Sequence, residues 1–204
     1  MKEKLEQVAK ALNGRGFKAQ VFGTLKEAKQ AALKEIGDAS VGFGGSLTVQ
    51  ESGLYEALQQ QGNDVYWHWM VSPEEKKDLC ESARAADVYV AGSNALTQDG
   101  VLVNIDGYGN RTSAMYFGPE RVILMIGKNK IVEDVQAALH RLKTVARPLD
   151  AKRLNPDLPC VKTGGVCTDC RHKGRICRVT TIFEMPIDER QVVFIYLIDG
   201  ERGF

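Results

Sequence analysis

Apolar positions along most of the chain switch repeatedly between helical and strand spacing. In the first such stretch, Leu5, Val8 and Leu12 recur three and four residues apart, which predicts an amphipathic helix. The run at 122–126 is apolar at every position, which predicts a central parallel strand buried on both faces. The same criteria predict strands near 17–21, 41–43, 65–69, 87–91 and 101–105, and helices over 24–36, 48–61, 131–142 and from Ser72-Pro73 onward. This alternation predicts an α/β fold with a mostly parallel open sheet and helices on both faces.

The pattern changes after Arg147-Pro148. Over residues 150–178 the chain is rich in Pro, Gly, Lys, Arg and Cys and has no apolar period, which predicts a long loop. We therefore assign residues 1–148 to an α/β ligand-binding domain. Residues 149–204 form a second part, a Cys-rich loop and C-terminal strands predicted to pack on the same domain.

Strand spacing returns at Val179–Phe183 and again at Val192–Ile198. The segment that joins these two strands lies near Asp188-Glu189. They are predicted to form a hairpin that adds antiparallel strands to an edge of the sheet.

A glycine-rich turn, VGFGGSLTVQESG at 41–53, follows one of the predicted strands. Its glycines are Gly42, Gly44 and Gly45. Glycine allows a tight turn with positive φ and leaves space for a ligand. Thr48 is then predicted to cap a helix, and Glu51, three residues on, to complete a capping box. Backbone N–H groups and the helix dipole at this point could hold a phosphate or carboxylate. The alternative is a turn that only connects a strand to a helix.

Polar side chains concentrate in a second stretch, AGSNALTQDGVLVNIDGYGNR at 91–111. Gly92-Ser93-Asn94 follows a strand end, which is where an open α/β sheet places its ligand site. Asn104 and Asp106 share one strand face, and Asn110 and Arg111 follow closely. Arg111 could clamp a carboxylate or phosphate in bidentate fashion. A simple hairpin with two Asp-Gly turns is the alternative, and it accounts for fewer of these polar groups.

Composition narrows the class of protein. The chain has 204 residues, with 27 basic and 26 acidic side chains, so bulk charge predicts neither nucleic-acid nor membrane binding. No apolar run approaches the roughly 20 residues of a membrane span. The N-terminal helix pattern contains acidic residues and differs from a secretory signal. We therefore expect a cytoplasmic protein with reduced cysteines.

Four of the five cysteines cluster late in the chain with the spacing C-x6-C-x2-C-x6-C. They are Cys160, Cys167, Cys170 and Cys177. This ligand count suits an iron–sulfur cluster or a tetrahedral zinc ion, and the spacing leaves open iron–sulfur, zinc or no metal. Cys80 lies apart from them in a helical pattern, where packing is the expected role.

Three blocks of sequence, GFGGSLTVQESG, ADVYVAGSNALTQDGVLVNIDGYGNR and FGPERVILMIGKNKIV, resemble the LUD-domain family, which includes the lactate-utilisation protein C group. The resemblance implies a fold like that of the glucosamine-phosphate isomerase, ribose-phosphate isomerase and CoA-transferase superfamily, and a subgroup continues through the Cys-rich tail. Carried over by position, the implied ligand residues are Gly44, Gly45, Ser46, Thr48, Glu51, Asn94, Thr97, Asp99, Asn104, Asp106, Gly107, Asn110 and Arg111. The resemblance implies no reaction, because a fold alone does not transfer an activity.

Three functional hypotheses follow. The first is a protein that binds a small anionic metabolite as an enzyme or subunit of a lactate- or hydroxyacid-oxidising system, with redox partner subunits. The second is a ligand-binding or regulatory protein without chemistry, which the lack of an obvious nucleophile–base pair in the sequence favours. The third is a partner-docking protein whose Cys-rich tail is stabilised by metal.

Overall fold

The computed structural model describes residues 2–72, 74–187 and 189–204. Its strands are β1 (Lys18–Phe22), β2 (Val41–Phe43), β3 (Val65–Trp67), β4 (Val88–Ala91), β5 (Ala95–Thr97), β6 (Leu102–Asp106), β7 (Arg121–Gly127), β8 (Ile131–Val132), β9 (Val179–Phe183) and β10 (Val192–Ile198). Its helices are α1 (Lys2–Gly14), α2 (Leu25–Ile36), α3 (Leu47–Ser52), α4 (Leu54–Gln61), α5 (Lys76–Ala85), α6 (Asn110–Tyr116), α7 (Val135–Arg141), α8 (Arg147–Leu154) and α9 (Pro159–Lys162). A 3₁₀ helix spans Lys128–Lys130, and a π-helical stretch, Leu142–Ala146, joins α7 to α8.

The main sheet has six parallel strands in the order β1-β10-β7-β4-β2-β3. One buried apolar cluster packs α1, α5 and α6 on one face of this sheet. A second cluster packs α2, α3 and α4 on the opposite face. The sheet is covered on both faces, so the predicted fold class is confirmed. The all-apolar run at 122–126 is the middle of β7, which pairs with β10 on one side and β4 on the other.

The predicted C-terminal hairpin is wrong. β10 lies inside the main sheet, parallel to β1 and β7, and β9 pairs antiparallel with β6 in a different sheet. β10 is apolar along its whole length, and its residues from Val193 onward are mostly buried. A strand of this kind needs neighbours on both edges and helices on both faces, which a sheet edge does not offer. Of the segment joining the two strands, Asp188 lies outside the described residues.

A smaller sheet has the order β8-β5-β6-β9, with β6 antiparallel to both β5 and β9. A third apolar cluster joins this sheet to α7 through Ala138 and to the π-helical stretch through Leu142. The Cys-rich segment follows α8, and β9 then returns it to the edge of β6. This arrangement brings the smaller sheet and the Cys-rich segment to the ends of the main-sheet strands.

Helix boundaries agree with the sequence in part. The Thr24 hydroxyl caps α2 by accepting a hydrogen bond from the Glu27 backbone N–H. The Glu27 carboxylate accepts one from the Thr24 backbone N–H, which completes the predicted capping box. The predicted start at Ser72-Pro73 is only partly within the described residues, because Pro73 is not, and α5 begins at Lys76. The predicted loop at 150–178 contains the end of α8 and all of α9.

The division of the chain into two parts at residue 148 stays a prediction. Within the described residues, no helix is long and apolar enough to cross a membrane.

Candidate functional site

The glycines within β2 and in the turn that follows it are needed for close packing. Gly42, Gly44 and Gly45 all lack positive φ, so the predicted left-handed turn is wrong. A Cβ on Gly44 would lie 2.8 Å from both Arg111 Cγ and the Tyr89 hydroxyl. A Cβ on Gly45 would lie 3.0 Å from the Trp69 ring. The turn is therefore filled by protein side chains at both positions.

The helix after this turn begins two residues earlier than the sequence predicts. Ser46 is its N-cap, and the Ser46 hydroxyl accepts a hydrogen bond from the Val49 N–H at 3.3 Å. The predicted N-cap at Thr48 and its capping box with Glu51 are wrong, because Thr48 lies inside α3. Thr48 is fully buried, and its hydroxyl accepts a hydrogen bond from Lys130 Nζ at 3.2 Å.

The structure brings Asn94, Asn104, Asp106 and Arg111 together at the ends of β4 and β6. Arg111 Nη2 lies 2.7 Å from Asp106 Oδ1, and both side chains are buried. Its other acceptors are the two asparagine side chains and the carbonyl groups of Gly92 and Ile105. Asp106, which also accepts from Nε at 3.0 Å, is the fifth acceptor. A guanidinium has five N–H donors, so these five acceptors satisfy all of them. Arg111 thus braces the strand ends and has no donor left for a bidentate ligand.

Four other predicted ligand residues lie away from this network. Thr97 and Asp99 lie in one turn, where the Thr97 hydroxyl donates to the Asp99 carboxylate. That carboxylate also pairs with Arg15 at 2.7 Å, beside the end of α1. The Asn110 amide donates to Cys80 Sγ at 3.6 Å. Gly107 packs on Ile176 of the Cys-rich segment, since a Cβ there would lie 3.3 Å from the Ile176 carbonyl oxygen.

Lys130, which sequence reasoning missed, is the most unusual charged group at this edge of the sheet. It follows β7 in the 3₁₀ helix and is only 4% exposed. Its ammonium group donates to Thr48, and no carboxylate oxygen of the described residues lies within 4.0 Å of it. Burial, then the charges of Arg141 and Arg111, lower the pKa of Lys130 to about 7, against the opposing effect of Glu51.

Arg141 places a second buried cation near Lys130. Arg141 donates from Nη1 to the Asn94 carbonyl at 2.6 Å and from Nε to the Asn129 carbonyl at 3.3 Å. Burial lowers its pKa from the ordinary value. Because Arg111 is already paired with Asp106, Lys130 and Arg141 leave a local excess of positive charge.

The C-terminal tail, residues 201–204, lies over Lys130. A Cβ on Gly203 would lie 3.3 Å from Lys130 Nζ and 3.0 Å from the Thr48 hydroxyl. The Gly203 N–H donates to Glu51 at 3.2 Å, and the Asn129 amide donates to the Gly203 carbonyl at 3.1 Å. The tail therefore closes the space above the ammonium group through a few hydrogen bonds.

The four clustered cysteines form a second candidate site. All four line one cavity of about 20 Å³ between α8, α9 and the loop that leads to β9. Arg147 also lines the cavity, is 9% exposed and donates to Cys167 Sγ at 3.8 Å. Cys80 lies elsewhere, against Asn110, and burial raises the pKa of its thiol.

A model of the LUD domain matches residues 5–198, which is nearly the whole chain. The chain belongs to the LUD domain family. The range includes both sheets, Lys130 and the four cysteines, so both candidate sites lie within the LUD domain. The family relates to lactate utilisation.

Two known proteins show how this LUD domain compares with others. It is 29% identical over 124 residues to the uncharacterized protein YkgG of Escherichia coli K12, a match that covers 59% of this chain and 52% of YkgG. The chain thus spans about half the length of that curated relative. A crystal structure of a DUF162 family protein from Deinococcus radiodurans has a TM-score of 0.53 and 16% identity, with 96% of this chain and 97% of that chain covered. At that identity the likeness supports the fold alone.

Proposed function

We propose that this LUD domain protein binds a small anionic metabolite, a carboxylate or a phosphate, at the buried ammonium group of Lys130. The observation that carries the proposal is a lysine that is 4% exposed and has only the Thr48 hydroxyl as a hydrogen-bond partner among the described residues. A buried charge is costly unless a counter-charge pairs with it. An anionic ligand would supply that counter-charge.

The surroundings of Lys130 favour an anion over a neutral ligand. Arg141 and Arg111 both lower the pKa of Lys130, so their charges act at its position. The nearest acidic influence is Glu51, whose carboxylate already accepts a hydrogen bond from Gly203. An anion beside Lys130 would raise the lysine pKa and offset the repulsion among the cations.

Binding at this place requires the C-terminal tail to move. Gly203 occupies the space next to Lys130 Nζ and the Thr48 hydroxyl, where oxygen atoms of the anion would lie. Two hydrogen bonds of Gly203, to Glu51 and from Asn129, would break. Each contributes about 1 kcal/mol net, so tail opening costs little compared with the pairing of a buried charge.

The proposed ligand class includes lactate and related hydroxyacids, and the proposed role is that of a subunit in their oxidation, with redox partner subunits. Membership of a family related to lactate utilisation supports this. A pKa of about 7 would leave Lys130 partly neutral at neutral pH, so it could act as a base or nucleophile. The alternative is a regulatory ligand-binding protein that catalyses no reaction. It is favoured because all the N–H donors of Arg111 already bond to groups of the protein.

A thermal unfolding panel tests the proposal. The probes are L-lactate, D-lactate, pyruvate and inorganic phosphate, each added to the wild-type chain, Lys130→Met and the control Lys128→Met. Lys128 is the matched control because it lies on the same 3₁₀ helix but pairs with Asp199 at 2.8 Å. A probe at 100 times its Kd should stabilise the wild-type protein and the control by about 2.7 kcal/mol. Equal stabilisation of Lys130→Met would remove Lys130 from the binding site. Turnover of the stabilising probe with an artificial electron acceptor would then separate an enzyme from a regulatory protein.

A further inference from the structure

Four cysteines that are clustered in sequence face one enclosed space. Cys160 comes from α9, Cys167 and Cys170 from the following loop, and Cys177 from the residues just before β9. Together they line a cavity of about 20 Å³. The cavity is backed by α8 through Ala151, so the thiols are held against a helix of the folded domain.

A buried arginine in the same cavity lacks part of its pairing. Arg147 is 9% exposed, and its Nε atom has no hydrogen-bond partner among the described residues. Its Nη1 donates only weakly, to Cys167 Sγ at 3.8 Å. A buried guanidinium of this kind is costly without negative charge nearby. Four cysteine thiolates around a metal centre would supply it, with a net charge near −2 for zinc or for an oxidised iron–sulfur cluster.

A second arginine fixes the loop that carries the cysteines. Arg175 donates to the carbonyl of Cys170 at 2.6 Å and to that of Cys177 at 2.8 Å. Its remaining Nη2 pairs with Asp169 at 3.0 Å. Asp169 has φ of +46°, the one non-glycine residue with positive φ among those described, and it turns the chain between Cys167 and Cys170. The loop is therefore held in a particular shape by contacts that leave the thiols facing the cavity.

We propose that the four cysteines bind an iron–sulfur cluster. The choice over zinc rests on the space between them. In a tetrahedral zinc site with bonds of about 2.3 Å, the four sulfur atoms lie roughly 3.8 Å apart, so they are nearly in contact and leave room only for the ion. Among the described residues, no three His, Cys, Asp or Glu side chains are grouped closely enough to hold a single metal ion, so these four thiols lie farther apart than a zinc site requires. An iron–sulfur cluster places several iron and sulfide atoms between its cysteines and needs such a space.

The test uses the full chain, purified without oxygen and incubated with ferric iron, sulfide, a thiol reductant and an equal amount of zinc before desalting. The expected result is two or four irons per chain with matching acid-labile sulfide, since four cysteines can hold either cluster. A broad visible absorption band should appear and bleach when dithionite supplies an electron. One zinc per chain without iron and sulfide would overturn the proposal, and so would a protein with no bound metal.

Two further measurements locate the cluster. Cys170→Ser should lose more than nine-tenths of the iron and sulfide, while the matched variant Cys80→Ser should retain them, because Cys80 lies against Asn110 away from the cavity. Alkylation of the wild-type protein avoids the question of whether a variant folds. Cluster loading should protect the four cavity cysteines at least tenfold and leave the reactivity of Cys80 unchanged. Equal iron in Cys170→Ser, or no protection of the four, would contradict the assignment.

Discussion

Replacing Lys130 by methionine should stabilise the ligand-free protein. The pKa of Lys130 falls from 10.5 to about 7 on folding, a difference of about 3.5. At about 1.36 kcal/mol for each pKa unit, burial of this ammonium costs roughly 5 kcal/mol below pH 6. Methionine is similar in length, is uncharged and loses only the hydrogen bond to Thr48, worth about 1 kcal/mol. At pH 7 we expect Lys130→Met to be more stable than wild type by roughly 3 kcal/mol.

The sign of the pH dependence follows from the two protonation states. Between pH 10.5 and about 7 the unfolded chain binds a proton at Lys130 that the folded protein does not, so wild-type stability falls as the pH falls through this window. From pH 9 to pH 6 the wild-type protein should lose about 3 kcal/mol relative to Lys130→Met. Other titrating groups are common to both proteins and cancel in the difference.

Urea unfolding monitored by circular dichroism at pH 6, 7, 8 and 9 measures this difference directly. Lys128→Met is the control, because the ion pair of Lys128 with Asp199 is partly exposed and its loss should change stability by less than about 1 kcal/mol. A stability difference between wild type and Lys130→Met that is constant with pH would refute the reasoning. So would a variant that is less stable than wild type at every pH.

Three further substitutions have expected outcomes. Arg111→Lys should lower the free energy of unfolding, measured by urea unfolding, by roughly 3–5 kcal/mol, because lysine cannot replace a buried guanidinium with five acceptors. A loss below about 1 kcal/mol would show that Arg111 does not brace the strand ends. Gly42→Ala should cost about 3 kcal/mol, since its Cβ would overlap the Ala83 carbonyl oxygen, whereas a Cβ on Gly14 would meet nothing within 4 Å and Gly14→Ala should be neutral or stabilising in the same assay. Asn129→Ala removes two hydrogen bonds to the C-terminal tail and should raise the affinity for L-lactate severalfold in calorimetry, while unchanged affinity would show that the tail does not limit binding.

The fold was predictable where local pattern and tertiary environment agree. The apolar run of β7 predicted a central strand, and the structure places it there. β10 has the same all-apolar pattern, yet its nearness in sequence to β9 suggested a hairpin. Strand order depends on pairings between distant segments, and β10 pairs with β1, more than 170 residues earlier in the chain. Applying the same burial criterion to both strands would have placed β10 correctly.

The candidate site was predictable only in part. The shared strand face of Asn104 and Asp106 indicated the cluster around Arg111, and the structure assembles it. The importance of Lys130 had no local signal, because its burial depends on Thr48, which is 82 residues away in sequence, and on the tail. A general rule could have found it, since Lys130 follows the carboxyl end of a central strand, where ligand sites of open α/β sheets lie.

Proton uptake on ligand binding tests the central claim most directly. L-lactate is titrated into the wild-type protein by calorimetry at pH 6 and pH 8, in buffers of different ionisation enthalpy, and its own carboxylate does not titrate in this range. If the anion pairs with Lys130, whose pKa is about 7 without ligand, binding at pH 8 should take up close to one proton per chain. At pH 6, where Lys130 is already charged, uptake should be close to zero, and Lys130→Met should show none at either pH. Absence of binding, or binding without proton uptake at pH 8, would contradict an anion site at Lys130.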